Sequence, residues 1–159
     1  MERVSIFLTV GSQLPFDRLV GYCEELEQLF PDKYEVFYQT ACNDKTSKDN
    51  YTNHLNMDDF SNKVEESDII VTHAGIGSII TSLLNSKYII VVPREYQYGE
   101  HRNDHQIDTS LELKNINVAR NMKEFLNYIE AYSSKKASLD IYNKAFYSKL
   151  NGKIKSLLK

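Results

Sequence analysis

Apolar residues along this chain fall into short unbroken runs separated by stretches with helical spacing, and that alternation predicts a repeated β-α unit. Residues 4–10 are almost continuously Val, Ile, Phe, Leu and Thr, which suits a strand buried on both faces. Beyond Gly11-Ser12 and Pro15, the residues Phe16, Leu19, Val20, Cys23, Leu26, Leu29 and Phe30 keep to one helical face until Pro31-Asp32 stops it. Residues 34–40 read as a second strand. Residues 41–53 turn to Asn, Asp, Lys, Ser and Thr, the composition of a loop. A short helix over 58–66 leads into a β-branched run at 69–72, and Ile79, Ile80, Leu83 and Leu84 mark a helix over 78–86. The remaining elements are a strand at 88–92, a helix at 104–113, a short strand at 116–119, a helix at 122–132 and a long helix at 138–158.

Strands alternating with helices pair in parallel through right-handed crossovers. The predicted fold class is therefore α/β, a Rossmann-like parallel sheet sandwiched by helices. The length of 159 residues suits one such domain. Ligands of open parallel sheets lie beyond the carboxyl ends of the strands. Gly11-Ser12, Gly75-Ile76-Gly77-Ser78 and Pro93-Arg94 all fall at such ends, so three segments distant in sequence are expected on one rim.

Charge divides the chain in two. After Ser133 it carries seven lysines against Asp140 alone, +6, so the rest holds −9 of the net −3. An acidic body without a basic stripe gives no footprint for nucleic acid. In the tail, Leu139, Tyr142, Phe146, Leu150, Ile154 and Leu157 recur every three or four residues, an amphipathic stripe. Residues 1–132 are thus expected as the Rossmann-like domain. Residues 133–159 are expected as a basic helix that closes the sheet, docks on a partner or lies on a membrane surface. Cys23 and Cys42 form no C-x-x-C pair, no apolar leader follows Met1, and no apolar run approaches the roughly 18–20 residues of a membrane span. These features predict a cytoplasmic protein.

The strand at 69–72 runs into His73-Ala74-Gly75-Ile76-Gly77-Ser78 at the start of a helix. Such a turn aims backbone N–H groups and the positive end of the helix dipole at an anion, with a diphosphate as the natural guest. The glycines have a second reading, a tight turn with close helix-strand packing. Ser78 could simply cap its own helix. Arg94 on the rim suits a diphosphate through its planar fork. His101 and His105 lack a third ligand at fixed spacing, so no metal is expected. Asp104 is expected as a helix cap, with His105 and Gln106 in the first turn. Cys23 reads as core, and Tyr96 and Tyr98 as rim aromatics or loop packing.

Three ordered segments carry a resemblance: Thr9-Val10-Gly11-Ser12 with Phe16-Asp17-Arg18-Leu19; His73-Ala74-Gly75-Ile76-Gly77-Ser78-Ile79-Ile80; and Val92-Pro93-Arg94 through Tyr98-Gly99-Glu100-His101 to Asp104-His105-Gln106. Together they resemble the C-terminal, donor-binding domain of the lipid-linked N-acetylglucosaminyltransferase family. They are closer still to its stand-alone versions, the soluble catalytic subunits of two-part enzymes in eukaryotic N-glycan assembly and in bacterial capsule and exopolysaccharide synthesis. The resemblance implies a single GT-B half-domain that binds a UDP-sugar, while a membrane-anchored subunit presents the acceptor.

On that reading Gly11, Ser12, His73, Gly75, Ile76, Gly77, Ser78, Arg94, His105 and Gln106 bind the nucleotide sugar, Gln106 through a sugar hydroxyl. Glu100 or His101 is the candidate base, unless the partner supplies one. No cofactor or metal is expected. The implied product is a hexose or hexuronic acid joined by an inverting hexosyltransferase to an undecaprenyl-diphosphate-linked acceptor, at the inner face of the membrane. Thr81 stands eight residues after His73, where many relatives place a ribose-binding glutamate. That departure keeps open a non-catalytic nucleotide-sugar sensor. A third reading is an epimerase-like enzyme acting on free sugar nucleotide.

Overall fold

A computed structural model of the chain describes residues 2–41, 48–113, 115–135, 148–149 and 152–153. Six strands, β1 (Val4–Thr9), β2 (Tyr34–Gln39), β3 (Tyr51–Thr52), β4 (Ile69–His73), β5 (Tyr88–Val92) and β6 (Asn117–Val118), form one sheet in the order β3-β2-β1-β4-β5-β6. Every pairing is parallel, with Thr9 beside both Gln39 and Thr72, and His73 beside Val92. This is the doubly wound order. The chain leaves β1 in one direction and later resumes at β4 in the other, so a crevice opens between their carboxyl ends.

The helices are α1 (Asp17–Leu29), α2 (Met57–Glu66), α3 (Ile76–Leu84), α4 (His105–Glu112) and α5 (Met122–Lys135), with a 3-10 turn at Tyr96–Tyr98. One face of the sheet packs Ile6, Leu8, Val71 and Ile90 against Leu19, Cys23 and Leu26 of α1 and Phe125 and Ile129 of α5. The other packs Phe7 and Ile70 against Val64 of α2, and Ile89 and Val91 against Ile79 and Leu83 of α3. Both faces being covered explains why the central strands read as apolar runs without alternation.

The α/β expectation holds, and most boundaries fall within two residues of those read from the pattern. The two-residue β3 went unpredicted because it lies in a polar loop. It is held by tertiary contacts: Tyr51 stacks on Tyr38 at 4.2 Å between centroids, and the two hydroxyls donate to Glu24 at 2.8 Å and Glu27 at 2.6 Å. Helix α3 starts at Ile76 with Gly75 as its cap residue, so Ser78 sits inside the first turn and is not the cap. Asn56 caps α2, its side chain accepting from Asp59 N at 2.8 Å. Asp104 precedes α4 but makes no cap bond with its side chain; it accepts from Tyr96 N at 2.8 Å and ties the 3-10 turn down instead. The helix expected at 138–158 lies outside the described residues apart from 148–149 and 152–153, which are helical, and Cys42 lies outside them as well.

Candidate nucleotide-sugar site at the sheet rim

At the crevice the chain turns twice. Gly11, just past β1, has φ +88, a left-handed conformation open to glycine at little cost. A Cβ built there would lie 2.7 Å from His73 Nε2. Gly75 has an ordinary φ of −90, so conformation does not demand glycine. Space does, because its Cβ would lie 2.3 Å from His73 Cε1 and 2.5 Å from Nε2. The imidazole at the end of β4 is thus clasped between two residues that lack side chains. Gly77 differs: a Cβ there meets nothing within 4 Å, so its missing side chain keeps the mouth of the crevice open.

Gln39 braces the first turn. Its Nε2 donates to Gly11 O and to Asn53 O, each at 2.9 Å, and its Oε1 accepts from the Thr9 hydroxyl. Thr9 Oγ1 in turn accepts from Gly11 N at 3.3 Å. The resulting cleft, about 410 Å³, has Thr9, Gly11, Ser12 and Gln39 on one side and His73, Gly75, Gly77, Ser78 and Thr81 on the other. Leu55, Met57 and Phe60 form an apolar wall. Ile76, Gly77 and Ser78 open α3, so their amides have no carbonyl one turn back to bond. Thr81 donates its hydroxyl to Gly77 O at 3.0 Å, spending it on its own helix.

His73 Nδ1 lies 3.1 Å from Gln106 Nε2. Burial is the main cause that lowers the His73 pKa to about 4, with the Arg94 guanidinium and His101 lowering it further and the Gln106 bond opposing them. The ring is therefore neutral at physiological pH. Gln106 is fully engaged in structure: besides His73, its Oε1 accepts from Ala74 N and Arg94 N, both at 3.1 Å. It stitches the ends of β4 and β5 together and does not reach into the cleft as a lining residue.

Arg94 corrects an expectation. It is 2% exposed. Nη1 donates to Pro15 O at 2.6 Å and Glu100 O at 3.2 Å, and Nη2 to Val10 O at 2.6 Å and Leu14 O at 2.7 Å. Four of its five donors are spent on backbone carbonyls, and the guanidinium stacks over Phe16 at 4.7 Å. The side chain pins the 10–15 loop to the 94–100 loop and offers no fork to a diphosphate. Glu100 is corrected in the same way. Its carboxylate accepts from Arg18 Nε at 3.0 Å and Nη2 at 2.9 Å, and from Glu95 N at 3.3 Å. Glu95 binds Arg120 at 3.0 Å and lies 3.5 Å from Arg18. A carboxylate locked in this lattice is a poor base.

His101 is differently placed. Asn103 Oδ1 accepts from His105 N at 3.1 Å and lies 3.0 Å from His101 Nδ1. An oxygen there requires Nδ1–H, and Nε2 has no partner among the described residues. His105 opens α4 with an exposed side chain, and neither it nor His101 lines the cleft itself. Cys23 is buried, and desolvation raises its thiol pKa well above the usual range, an inert core position.

The structure brings Gly11, Ser12, His73, Gly75, Gly77 and Ser78, expected on one rim, to one cleft, and adds Thr9, Gln39, Leu55, Met57 and Phe60, which were not expected there. No local pattern marks these five, because what brings them to the cleft is the packing of β2 and α2 beside β1 and α3.

A family model described as the glycosyltransferase family 28 C-terminal domain matches residues 5–146. The chain belongs to that family. No curated protein matches the sequence significantly. Among solved structures, this family 28 domain resembles the glycotransferase of kitacinnamycin at 16% identity and a TM-score of 0.65, over 94% of this chain and 39% of that one. It also resembles the solution structure of ALG13, with 20% identity and a TM-score of 0.56, covering 85% of this chain and 88% of that one. A molybdenum cofactor binding protein from Rippkaea orientalis shares the fold as well, with 12% identity, a TM-score of 0.55, and 82% and 98% of the two chains covered. At these identities the likeness is one of fold. The domain spans about two-fifths of the length of the kitacinnamycin glycotransferase. No helix among the described residues is long and apolar enough to cross a membrane.

Proposed function

We propose that this family 28 domain binds the UDP-sugar donor for a two-component glycosyltransferase, and that a separate membrane-anchored subunit presents the lipid-linked acceptor. The observation that carries the reading is the convergence of the free amides of residues 76–78, the neutral His73 ring and the Gly11 turn on the cleft at the switch point of the sheet. In this site the amides and the dipole of α3 hold the diphosphate, and Leu55, Met57 and Phe60 offer an apolar wall to the base or the sugar. Charge builds on the diphosphate as the glycosidic bond breaks, and donors fixed beforehand stabilise it most. No metal is needed for that task.

Inverting transfer also needs a base within hydrogen-bond reach of the acceptor hydroxyl. With Glu100 engaged by Arg18, His101 Nε2 is this chain's candidate; the partner's surface is the other source. Leu14, Ile76, Tyr96 and Tyr98 are exposed around the rim and form the face that such a partner would cover. The resemblance to the bacterial polysaccharide branch favours a hexose or hexuronic acid donor and an undecaprenyl-diphosphate-linked acceptor, with the complex at the inner membrane face. Thr81, whose hydroxyl is spent on its own helix, supports a second reading, a nucleotide-sugar sensor without turnover. Assay of the domain with its membrane subunit, UDP-sugars and a lipid acceptor separates them: transfer that needs both subunits supports the enzyme, and UDP binding with no transfer by the complex supports the sensor.

A further inference from the structure

The hydrogen bonds of Gln106 fix more than its own place. Two main-chain N–H groups, of Ala74 and Arg94, converge on one terminal atom of its side chain, each at 3.1 Å. That atom must be the oxygen, since a nitrogen there would set donor against donor. The other terminal atom is then the NH2, 3.1 Å from His73 Nδ1. An amide NH2 only donates, so Nδ1 must hold a lone pair and the proton of the neutral ring must sit on Nε2. Nε2 has no partner among the described residues. It faces the gap left by the missing side chains of Gly11 and Gly75, where a Cβ would come within 2.7 and 2.5 Å of it, and His73 lines the cleft.

We infer that Gln106 is a positioning residue that locks His73 as the Nε2–H tautomer, so that an uncharged imidazole presents a single N–H donor to an acceptor oxygen of the nucleotide's diphosphate. The lock follows from hydrogen-bond geometry; the identity of the acceptor rests on the donor-site reading above. The groups that bear on the ring are the Arg94 guanidinium, His101 and Gln106 itself, and burial outweighs them in holding it neutral. A ring with the opposite tautomer would turn a lone pair toward the phosphate. Gln106 therefore acts on the ligand without touching it, and its amide is already committed to the ends of β4 and β5.

Histidine side-chain 15N long-range NMR on the full chain without nucleotide tests the lock. The expected spectrum shows His73 with Nδ1 unprotonated and Nε2 protonated at about pH 7. In Gln106→Glu the carboxylate still accepts from Ala74 and Arg94 but can only accept from His73, so Nδ1 gains a proton and the signature changes. UDP affinity then falls about tenfold at about pH 8, the loss of one hydrogen bond to a charged group. Gln106→Met, which removes the donor without adding charge, gives mixed tautomers. A wild-type ring protonated at Nδ1 overturns the inference even if no variant folds, as does a Gln106→Glu ring identical to wild type. A wild-type chain with the expected tautomer but no affinity for UDP would overturn the donor-site reading and leave the lock standing; UDP binding with Nδ1 protonated would do the reverse.

Discussion

Gly75 is glycine because of His73: a Cβ at position 75 would lie 2.3 Å from the imidazole Cε1, inside any tolerable contact. Two residues downstream, Gly77 faces open space, so the two glycines of one motif serve different ends. Gly75→Ala is expected to displace the His73 ring and lower stability by about 1–3 kcal/mol, the range for overpacking. Gly77→Val is expected to leave the unfolding free energy within about 0.5 kcal/mol of wild type while filling the mouth of the cleft and abolishing UDP binding. Denaturant unfolding and calorimetric titration of both variants check this pair.

Arg94 should behave as a structural cation. Arg94→Ala leaves the carbonyls of Val10, Leu14, Pro15 and Glu100 without their donor, at a cost of about 2–4 kcal/mol. Arg94→Lys should recover little, because one ammonium with three donors cannot span four carbonyls in a plane. Denaturant unfolding reads both. Stability unchanged in Arg94→Ala would return the residue to the ligand.

His73 makes stability fall in mild acid. Its pKa is lowered from 6.5 to about 4 in the folded chain, so between those values the unfolded state binds more protons than the native one. Unfolding free energy therefore rises with pH across that window, and the contribution present above about pH 6.5 is lost as pH falls toward 4. At about 1.4 kcal/mol for each pH unit, the His73 share is at most about 3–4 kcal/mol. His73→Gln should flatten that part of the profile, measured as denaturation free energy at several pH values.

Glu100 and His101 are neighbours with separable roles. Glu100→Gln removes the ion pair to Arg18 and is expected to lower stability by about 1–3 kcal/mol with little change in kcat. His101→Ala is expected to lower kcat by about 100-fold or more and to leave stability within about 0.5 kcal/mol of wild type. Denaturant unfolding, and kinetics with the partner subunit present, distinguish the two. A large loss of kcat in Glu100→Gln with none in His101→Ala would reverse the assignment. Transfer by the complex is also expected to persist in excess EDTA, as protein donors meet the leaving group's charge.

The sheet was legible in the sequence because its central strands are buried on both faces and so show as apolar runs. The His73 to Ser78 turn showed itself through glycines at a strand-helix junction. What stayed hidden was partner choice. Nothing local distinguishes an arginine that will bind phosphate from Arg94, whose four acceptors lie at residues 10, 14, 15 and 100. Glu100 was likewise unreadable without Arg18, 82 residues away. The apolar wall of Leu55, Met57 and Phe60 reaches the cleft only because α2 packs beside β1 and α3, a tertiary fact that the local pattern does not encode.

Titration of the 15N-labelled chain with UDP, followed by backbone amide shifts, tests the central claim most directly. The account predicts saturable binding with the largest shifts at Ile76, Gly77 and Ser78 and at Gly11 and Ser12. Absence of binding, or shifts confined to another part of the surface, would contradict it.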